Sequence, residues 1–281
     1  SKLNGKMPLY IVPIGIEYGS YVKYSSTLSL NIGTPINVTD FVNNHKEDPY
    51  PKLLVELKEL LAPKISELIH FVKDDENYDA LIDLSYIRNS YYLEAWNLSG
   101  NPYNEMRANR KFIEDFYALE KNSTYKAEHL LKLGKEFSFL RRKLNIADES
   151  LICPASTLNI ISCILLLFFF IPYFVFSVII SSPITLISQF IIYKIEDKAF
   201  NNSIRYVLSI LLTPIILIIL LPILFSVTKW YIAILILLLS IPSFSFSHKY
   251  VRLLRIVISD IKLKTNKSIK TLVKSINDYL K

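Results

Sequence analysis

Residues 151–193 carry no charged side chain, an uninterrupted run of 43 residues. An α-helix rises about 1.5 Å per residue, so one straight helix of this length would measure roughly 64 Å. The hydrocarbon core of a bilayer is only about 30 Å thick. One crossing cannot use such a run, whereas two crossings, or one crossing plus a re-entrant or interfacial piece, can. Residues 206–247 repeat the pattern, 42 residues with a single charge at Lys229. A charge at the bilayer centre costs roughly 2.5–3.5 kcal/mol. Lys229 is therefore expected at a turn near an interface, beside Trp230 and Tyr231, whose rings favour that depth. The pattern predicts two helical hairpins, at about 156–193 and 206–247, the first bent at Pro172 or at Ser181-Ser182-Pro183. The alternative is an odd number of spans with one basic segment on the far side.

Charge divides the chain in the same place. Residues 1–150 hold 19 basic and 21 acidic side chains, and residues 151–281 hold 13 and 4. The basic excess thus belongs to the apolar half, where anionic lipid is a better partner than nucleic acid. The positive-inside rule predicts that the soluble half, the 194–205 loop and the basic tail all face the cytoplasm. In that tail, Val251, Leu254, Ile258 and Ile261, then Ile269, Leu272, Ile276 and Leu280, repeat at helical spacing with lysines between. The tail is expected either as an amphipathic helix on an anionic membrane surface or as a helix packed on the soluble half.

The first half begins with strands. Residues 9–18 are a near-continuous apolar run, as in a strand buried on both faces, and residues 24–32 give a second strand. A two-stranded hairpin is marginal on its own, and no other strand-like run follows before residue 150. The chain also opens with Ser and enters a buried-type strand within a few residues. The expectation is a C-terminal part of a longer protein, with further strands upstream. From there on the pattern is helical. Leu53, Leu57, Leu60, Leu61, Ile65, Leu68, Ile69 and Val72 make one stripe bent at Pro63, and further helices are expected at about 77–98, 103–120 and 124–145. Tyr86, Tyr91, Tyr92, Tyr103 and Tyr117 fall on these helices and are expected to pack. The predicted fold class is an α/β remnant, a β-hairpin of an incomplete sheet (1–49), followed by an α-helical region (50–150), a helical membrane region (151–247) and a basic amphipathic tail (248–281).

Chemistry-bearing motifs are sparse. There is no Gly-rich phosphate loop, no G-x-S-x-G, no H-E-x-x-H and no CxxC. Two cysteines, Cys153 and Cys163, permit no disulfide framework. His45, His70, His129 and His248 are scattered without metal-ligand spacing, so no metal site is expected. His70 and Asp75 form a bare H-x4-D, the spacing of a base and its orienting carboxylate. An acidic run follows them, and they are read as a solvated helix end.

The hairpin carries the more specific signal. Val12-Pro13-Ile14-Gly15-Ile16-Glu17-Tyr18, a second strand, and Ile32-Gly33-Thr34-Pro35-Ile36 resemble the last conserved block of the glycerolipid acyltransferases, the lysophosphatidic-acid and glycerol-3-phosphate acyltransferase superfamily. In that family a V-P-V/I-G strand precedes a G-x-P-I element at this spacing. Lys194 to Tyr206 also looks like the loop before the last hydrophobic segments of long bacterial members. The resemblance implies an α/β sheet facing the membrane. It also implies transfer of a fatty acyl group from a thioester donor, acyl-CoA or acyl carrier protein, to a hydroxyl of glycerol phosphate or a lysophospholipid. No bound cofactor is implied. Val12, Pro13 and Ile14 match the block beside the substrate site, and Gly33 and Pro35 shape the sheet edge. The structural alternative for Pro13, Gly33 and Pro35 is a strand irregularity and a turn. The family's H-x4-D pair and F-P-E-G block precede this strand, and His70 lies on its other side, so no catalytic residue carries over. The competing function is a non-catalytic membrane anchor or scaffold whose helical region binds a partner. A transporter is disfavoured, because Lys229 is the one ionisable residue in the two apolar runs apart from tyrosines and Cys153 and Cys163.

Overall fold

The computed structural model describes residues 8–18, 28–46, 48–69, 72–73, 76–197 and 200–280. Among the described residues four short strands come first: β1 (Tyr10–Ile11), β2 (Ile14–Tyr18), β3 (Leu28–Ile32) and β4 (Ile36–Asn37). β2 and β3 are antiparallel, with Ile14 opposite Ile32 and Ile16 opposite Leu30. β1 and β4 continue the same pairing, with Ile11 opposite Ile36. Pro13 and Pro35 explain the split into two ladders, since neither has an N–H to donate. The Gly33 amide bridges the gap by donating to the Pro13 carbonyl at 2.9 Å.

Helices follow. Asn37 caps α1 (Val38–Asn44) by accepting from the amides of Thr39 and Asp40. Next come α2 (Tyr50–Ser66), α3 (Tyr78–Ala95), α4 (Pro102–Asn122), α5 (Thr124–Leu144) and α6 (Asp148–Ile152). The start of α4 follows capping chemistry: Asn101 accepts from the Asn104 amide, and Pro102 stands in the first turn. The end of α5 is set by Asn145 in the left-handed region, φ 52°.

Pro63 lies inside α2 without ending it, and no residue of that helix is buried. The expected stripe along α2 is therefore not a core stripe. Leu60 and Ile65 are exposed, and Val72, its buried member, lies beyond the helix. α2 instead meets the strands near its C-terminal end, so one short contact replaces a packed face. The tyrosines divide too: Tyr86, Tyr92 and Tyr117 pack on the core, whereas Tyr91 and Tyr103 are exposed. An arginine lies over each exposed ring, Arg88 at 3.6 Å and Arg107 at 5.7 Å.

The core of this half is a helical layer. Leu81, Leu84, Phe112, Phe116, Leu130 and Phe137 interlock between α3, α4 and α5. Gly134 permits the close α3–α5 approach, since an added Cβ would lie 2.7 Å from Leu84 Cδ1. The same core takes in Ile269, Leu272 and Ile276 of the last helix, α12 (Lys267–Tyr279). Lys267, Lys270 and Lys274 face outward. Of the two expectations for the end of the chain, packing on the helical region holds for α12, because its three core residues find a dry partner there.

Between these parts run the apolar helices α7 (Thr157–Phe169), α8 (Ile171–Tyr193), α9 (Asn201–Val227) and α10 (Trp230–Ser240), and then α11 (Ser243–Thr265). α8 and α9 are long and apolar enough to cross a membrane. The expected break in the first apolar run falls beside Pro172: α8 passes through Ser181-Ser182-Pro183 without a break, whereas Phe170, at φ −89° and ψ 5°, separates α7 from α8. Pro172 lacks the N–H that a continuous helix would donate to Phe168. Along α7 the partners on α11 retreat toward its start, Ile160 packing with Val257 and Leu167 accepting from the Tyr250 hydroxyl; past the break they retreat no further than Phe246, which meets the ring of Tyr173, and Ser181 lies by Ser247. Lys229 does stand at the turn between α9 and α10, which pack together.

Because α12 belongs to the core of the helical region, Ile276→Ala is expected to destabilise that region by about 2–5 kcal/mol. Hydrogen exchange should show the loss in α3 and α5, with α8 and α9 unaffected. Unchanged protection in α3 and α5 contradicts this packing.

Candidate functional site

The two faces of the hairpin differ sharply. Alternation along a strand puts residues 12, 14 and 16 on one side, and 28, 30 and 32 of the partner strand on the same side. All six are aliphatic and all are exposed, from Val12 at 43% to Ile32 at 71%. The opposite side carries Pro13, Gly15 and Asn31, all buried. That inner side rests on Leu68, just past the end of α2. Gly15 is required by the approach, since a Cβ there would lie 2.3 Å from the Leu68 carbonyl oxygen. A Cβ on Gly33 would lie 2.9 Å from Leu68 Cδ1 and 3.0 Å from Pro13.

The end of α2 is tied on both sides. Asn31 donates its side-chain amide to the Leu68 carbonyl at 2.9 Å. Arg110 of α4 donates to the Glu67 carbonyl at 2.5 Å and pairs with Glu114 at 2.9 Å. These are carbonyls that a helix end leaves without intrahelical donors. The hairpin is thereby joined to α4 through two neighbouring carbonyls. Beside this junction an open cleft of about 360 Å³ is lined by Ser66, Lys73, Arg110, Ile113, Glu114, Tyr117, Ala118 and Lys121.

Of the residues expected at the substrate site, Val12 and Ile14 share the exposed aliphatic face, and Pro13 is turned inward against Gly33. His70 and Asp75 lie outside the described residues. The cleft was not anticipated, although Arg110, Ile113, Glu114, Tyr117, Ala118 and Lys121 recur at helical spacing, a signal open to inspection.

Two further groups of titratable side chains need a chemical account. His45, Asp48 and Glu56 offer ligand atoms within 4.8 Å of one another. Lys52 already places its ammonium there, 2.6 Å from Asp48 and 3.7 Å from Glu56, so a lysine supplies the cation. The second group is deeper. Arg141 of α5 pairs with Asp83 of α3 and Asp148 of α6, and clamps three helices. Burial pushes the Asp83 carboxyl above the usual carboxylate range, against the opposing pull of Arg141 and the Ser138 hydroxyl. In α3, burial together with the hydrogen bond to Asp115 likewise pushes the Tyr92 phenol well up. Neither group opens onto the hairpin face or the cleft, and both act as structural joints.

No protein-family model, no curated protein and no solved structure matches this chain.

Gly15→Ala is expected to push the hairpin off Leu68, at a cost of about 1–3 kcal/mol. Amide exchange should quicken in β2 and β3 while the helical core stays protected, and equal protection in the variant would refute the contact. Arg141→Leu strands Asp83 as a buried charge, a loss of about 3–5 kcal/mol at neutral pH. The folded state holds the Asp83 proton more tightly than the unfolded chain does, so protonation relieves the stranded charge. Exchange in α3 and α5 should show the loss shrinking as pH falls through the folded value of Asp83. A loss independent of pH would contradict the assignment.

Proposed function

We propose that this chain is a membrane-embedded part of a glycerolipid acyltransferase, whose hairpin belongs to the acyl-transfer module and whose apolar helices anchor that module. The observation that carries the proposal is the open aliphatic face of the hairpin. Six exposed aliphatic side chains on one side of a two-stranded sheet need a cover, because so small a sheet is not stable with an uncovered apolar face. The strand that presents Val12, Pro13, Ile14 and Gly15 resembles the substrate-side strand of that superfamily. Further strands of the same α/β module, and the fatty chain of the substrate, suit such a face.

The reaction is acyl transfer from a thioester, acyl-CoA or acyl carrier protein, to glycerol phosphate or lysophosphatidate. The acceptor oxygen bonds to the acyl carbon, the carbon–sulfur bond breaks, and the proton of the hydroxyl ends on the thiol. Such a step uses a base close to neutral pKa. We assign that base to residues outside this chain, since its own H-x4-D follows the strand instead of preceding it.

For the anchor, α8 at about 35 Å and α9 at about 40 Å each suffice for a core of about 30 Å. α10 is too short to cross alone, but with α11, across a bend of 51°, it makes a third candidate span. In this arrangement α8, α9 and the α10–α11 pair cross in turn, so Lys229 lies at the end remote from the helical region, and the 194–205 loop lies at the end toward which α11 leads. That end also holds the nine basic residues of the tail, so it is the cytoplasmic one. Tethering a lipid-modifying module at the surface where its acceptor resides raises the effective concentration of that acceptor. A non-catalytic anchor is the second reading, and it rests on the exposed Leu54, Val55, Leu60 and Ile65 of α2 as a partner-binding surface.

Membranes containing the full native gene product are expected to transfer labelled acyl groups to glycerol 3-phosphate or lysophosphatidate. Ile14→Asp should lower kcat/KM by about tenfold or more, the equivalent of ~1.4 kcal/mol, at unchanged protein level. Absence of transfer from either donor to either acceptor overturns the proposal and favours the anchor.

A further inference from the structure

The two halves of the basic tail are not equivalent. In α12 the apolar residues are buried in the helical core. In α11 the stripe Val251, Leu254, Ile258 and Ile261 is 37–53% exposed. Three directions can be told apart around α11, at roughly 100° per residue. Tyr250, Leu253 and Val257 face α7. Ser259 accepts from the Ala147 amide, Ile256 accepts from Ser150, and Arg252 pairs with Glu149 at 3.2 Å, so residues 252, 256 and 259 face α6 and the helical region. The exposed stripe points roughly 150° away from that contact. Its flank carries Arg255; Lys262 donates to the Leu144 carbonyl at 2.8 Å, and Asp260, the single acidic residue of α11, is turned in at 5% exposure.

α7 extends this surface. At 13 residues, or about 20 Å, it is too short to cross a bilayer. It has no charge, and Leu158, Leu165, Phe168 and Phe169 are 64–77% exposed. It joins α8, which alone is as long as the hydrocarbon core is thick, through the single residue Phe170. In water its leucine and phenylalanine side chains would stand bare, whereas in the leaflet beside the stripe of α11 they are covered.

We propose that α7 and the C-terminal half of α11 form a lipid-facing seat that lies in the cytoplasmic leaflet and holds the helical region, from behind, at a fixed orientation on an anionic phospholipid surface. This rests on the membrane proposal and adds the surface and the lipid class. The occupant is a lipid leaflet and not a protein for two reasons. The apolar surface runs on without interruption from the exposed side chains of α8. Its flank is cationic with no exposed carboxylate on α11, which suits phosphate head groups and attracts them by about 1 kcal/mol per basic residue.

The full chain, with Cys153 and Cys163 replaced by Ser, is reconstituted in vesicles of phosphatidylcholine with or without phosphatidylglycerol. An environment-sensitive fluorophore is placed singly at Leu165→Cys and Ile258→Cys. References are Ile219→Cys in α9 and Tyr125→Cys on the helical region. The expected result is blue-shifted emission, quenched by brominated lipid, at 165 and 258, and shallower than at 219. Phosphatidylglycerol should deepen the probe at 258, and Arg255→Glu should abolish that response. Water-like emission at 165 and 258, matching 125 while 219 remains in hydrocarbon, overturns the seat and leaves the anchor standing. Water-like emission at 219 as well overturns the membrane proposal itself. A blue shift at 258 without bromolipid quenching means protein cover, and also overturns the seat.

Discussion

α11 is the physical link on which the rest of the molecule depends. Its N-terminal half packs on α8 through Phe246, Ser247 and Tyr250. Its C-terminal half packs on α7 through Val257 and on α6 through Ser259. It then hands the chain to α12, whose Ile269 and Ile276 are fully buried among α3 and α5. One rigid helix thus belongs to both the apolar bundle and the helical region. Serine is what allows the close approaches: Ser243, Ser247 and Ser259 are all buried, and each hydroxyl bonds back to a carbonyl one turn earlier in the chain. A small side chain that satisfies its own polar atom lets two helices touch without an orphaned donor.

The hairpin is held by a different principle. It has no core of its own, and its inner face is defined by what is missing, the side chain of Gly15. Where backbone meets backbone, as Gly15 meets Leu68, position is fixed by the hard limit of atomic contact. The carbonyls of Glu67 and Leu68 then turn the end of α2 into a connector, one taken by Arg110 and the other by Asn31. A movement of the hairpin must therefore be felt in α4, which carries the lining of the cleft. The open aliphatic face is the other side of the same plate, so whatever covers it is registered against the helical core through three residues.

Element type was legible in the sequence wherever periodicity and punctuation agreed. Asn101-Pro102 and Asn122-Ser123 delimit α4 as expected, and the alternation about Pro13 gives the strands. The stripe on α2 misled because periodicity reports an apolar face and not what covers it. The tail misled in the same way: α11 and α12 have similar spacing, yet α12 finds the helical core and α11 turns its stripe away. Of the two proline signals in the first apolar run, Pro172 marks the break between α7 and α8, whereas α8 runs on through Pro183, because in a long helix one missing N–H costs one hydrogen bond and need not end it. The cleft stayed hidden because the α4 residues that line it are closed off by Ser66 and Lys73, which lie far off in sequence.

The break beside Pro172 has consequences beyond local geometry. Through Thr213 and Leu217, α9 shares a small cavity with Ser181 and Ile184 of α8 and with Ser240 and Phe244. α8 and α10 therefore both flank α9, and the chain passes from α10 into α11 across a bend of 51°. α7 stands apart from that series: Ile160 and Leu167 meet the middle of α11, at Val257 and Tyr250, whereas Ser181 of α8 meets α11 near its start, at Ser247. The break also accounts for the 43-residue uncharged run. Its 23 residues in α8 match the thickness of the hydrocarbon core, and the remainder, chiefly α7, needs an apolar surface to lie in.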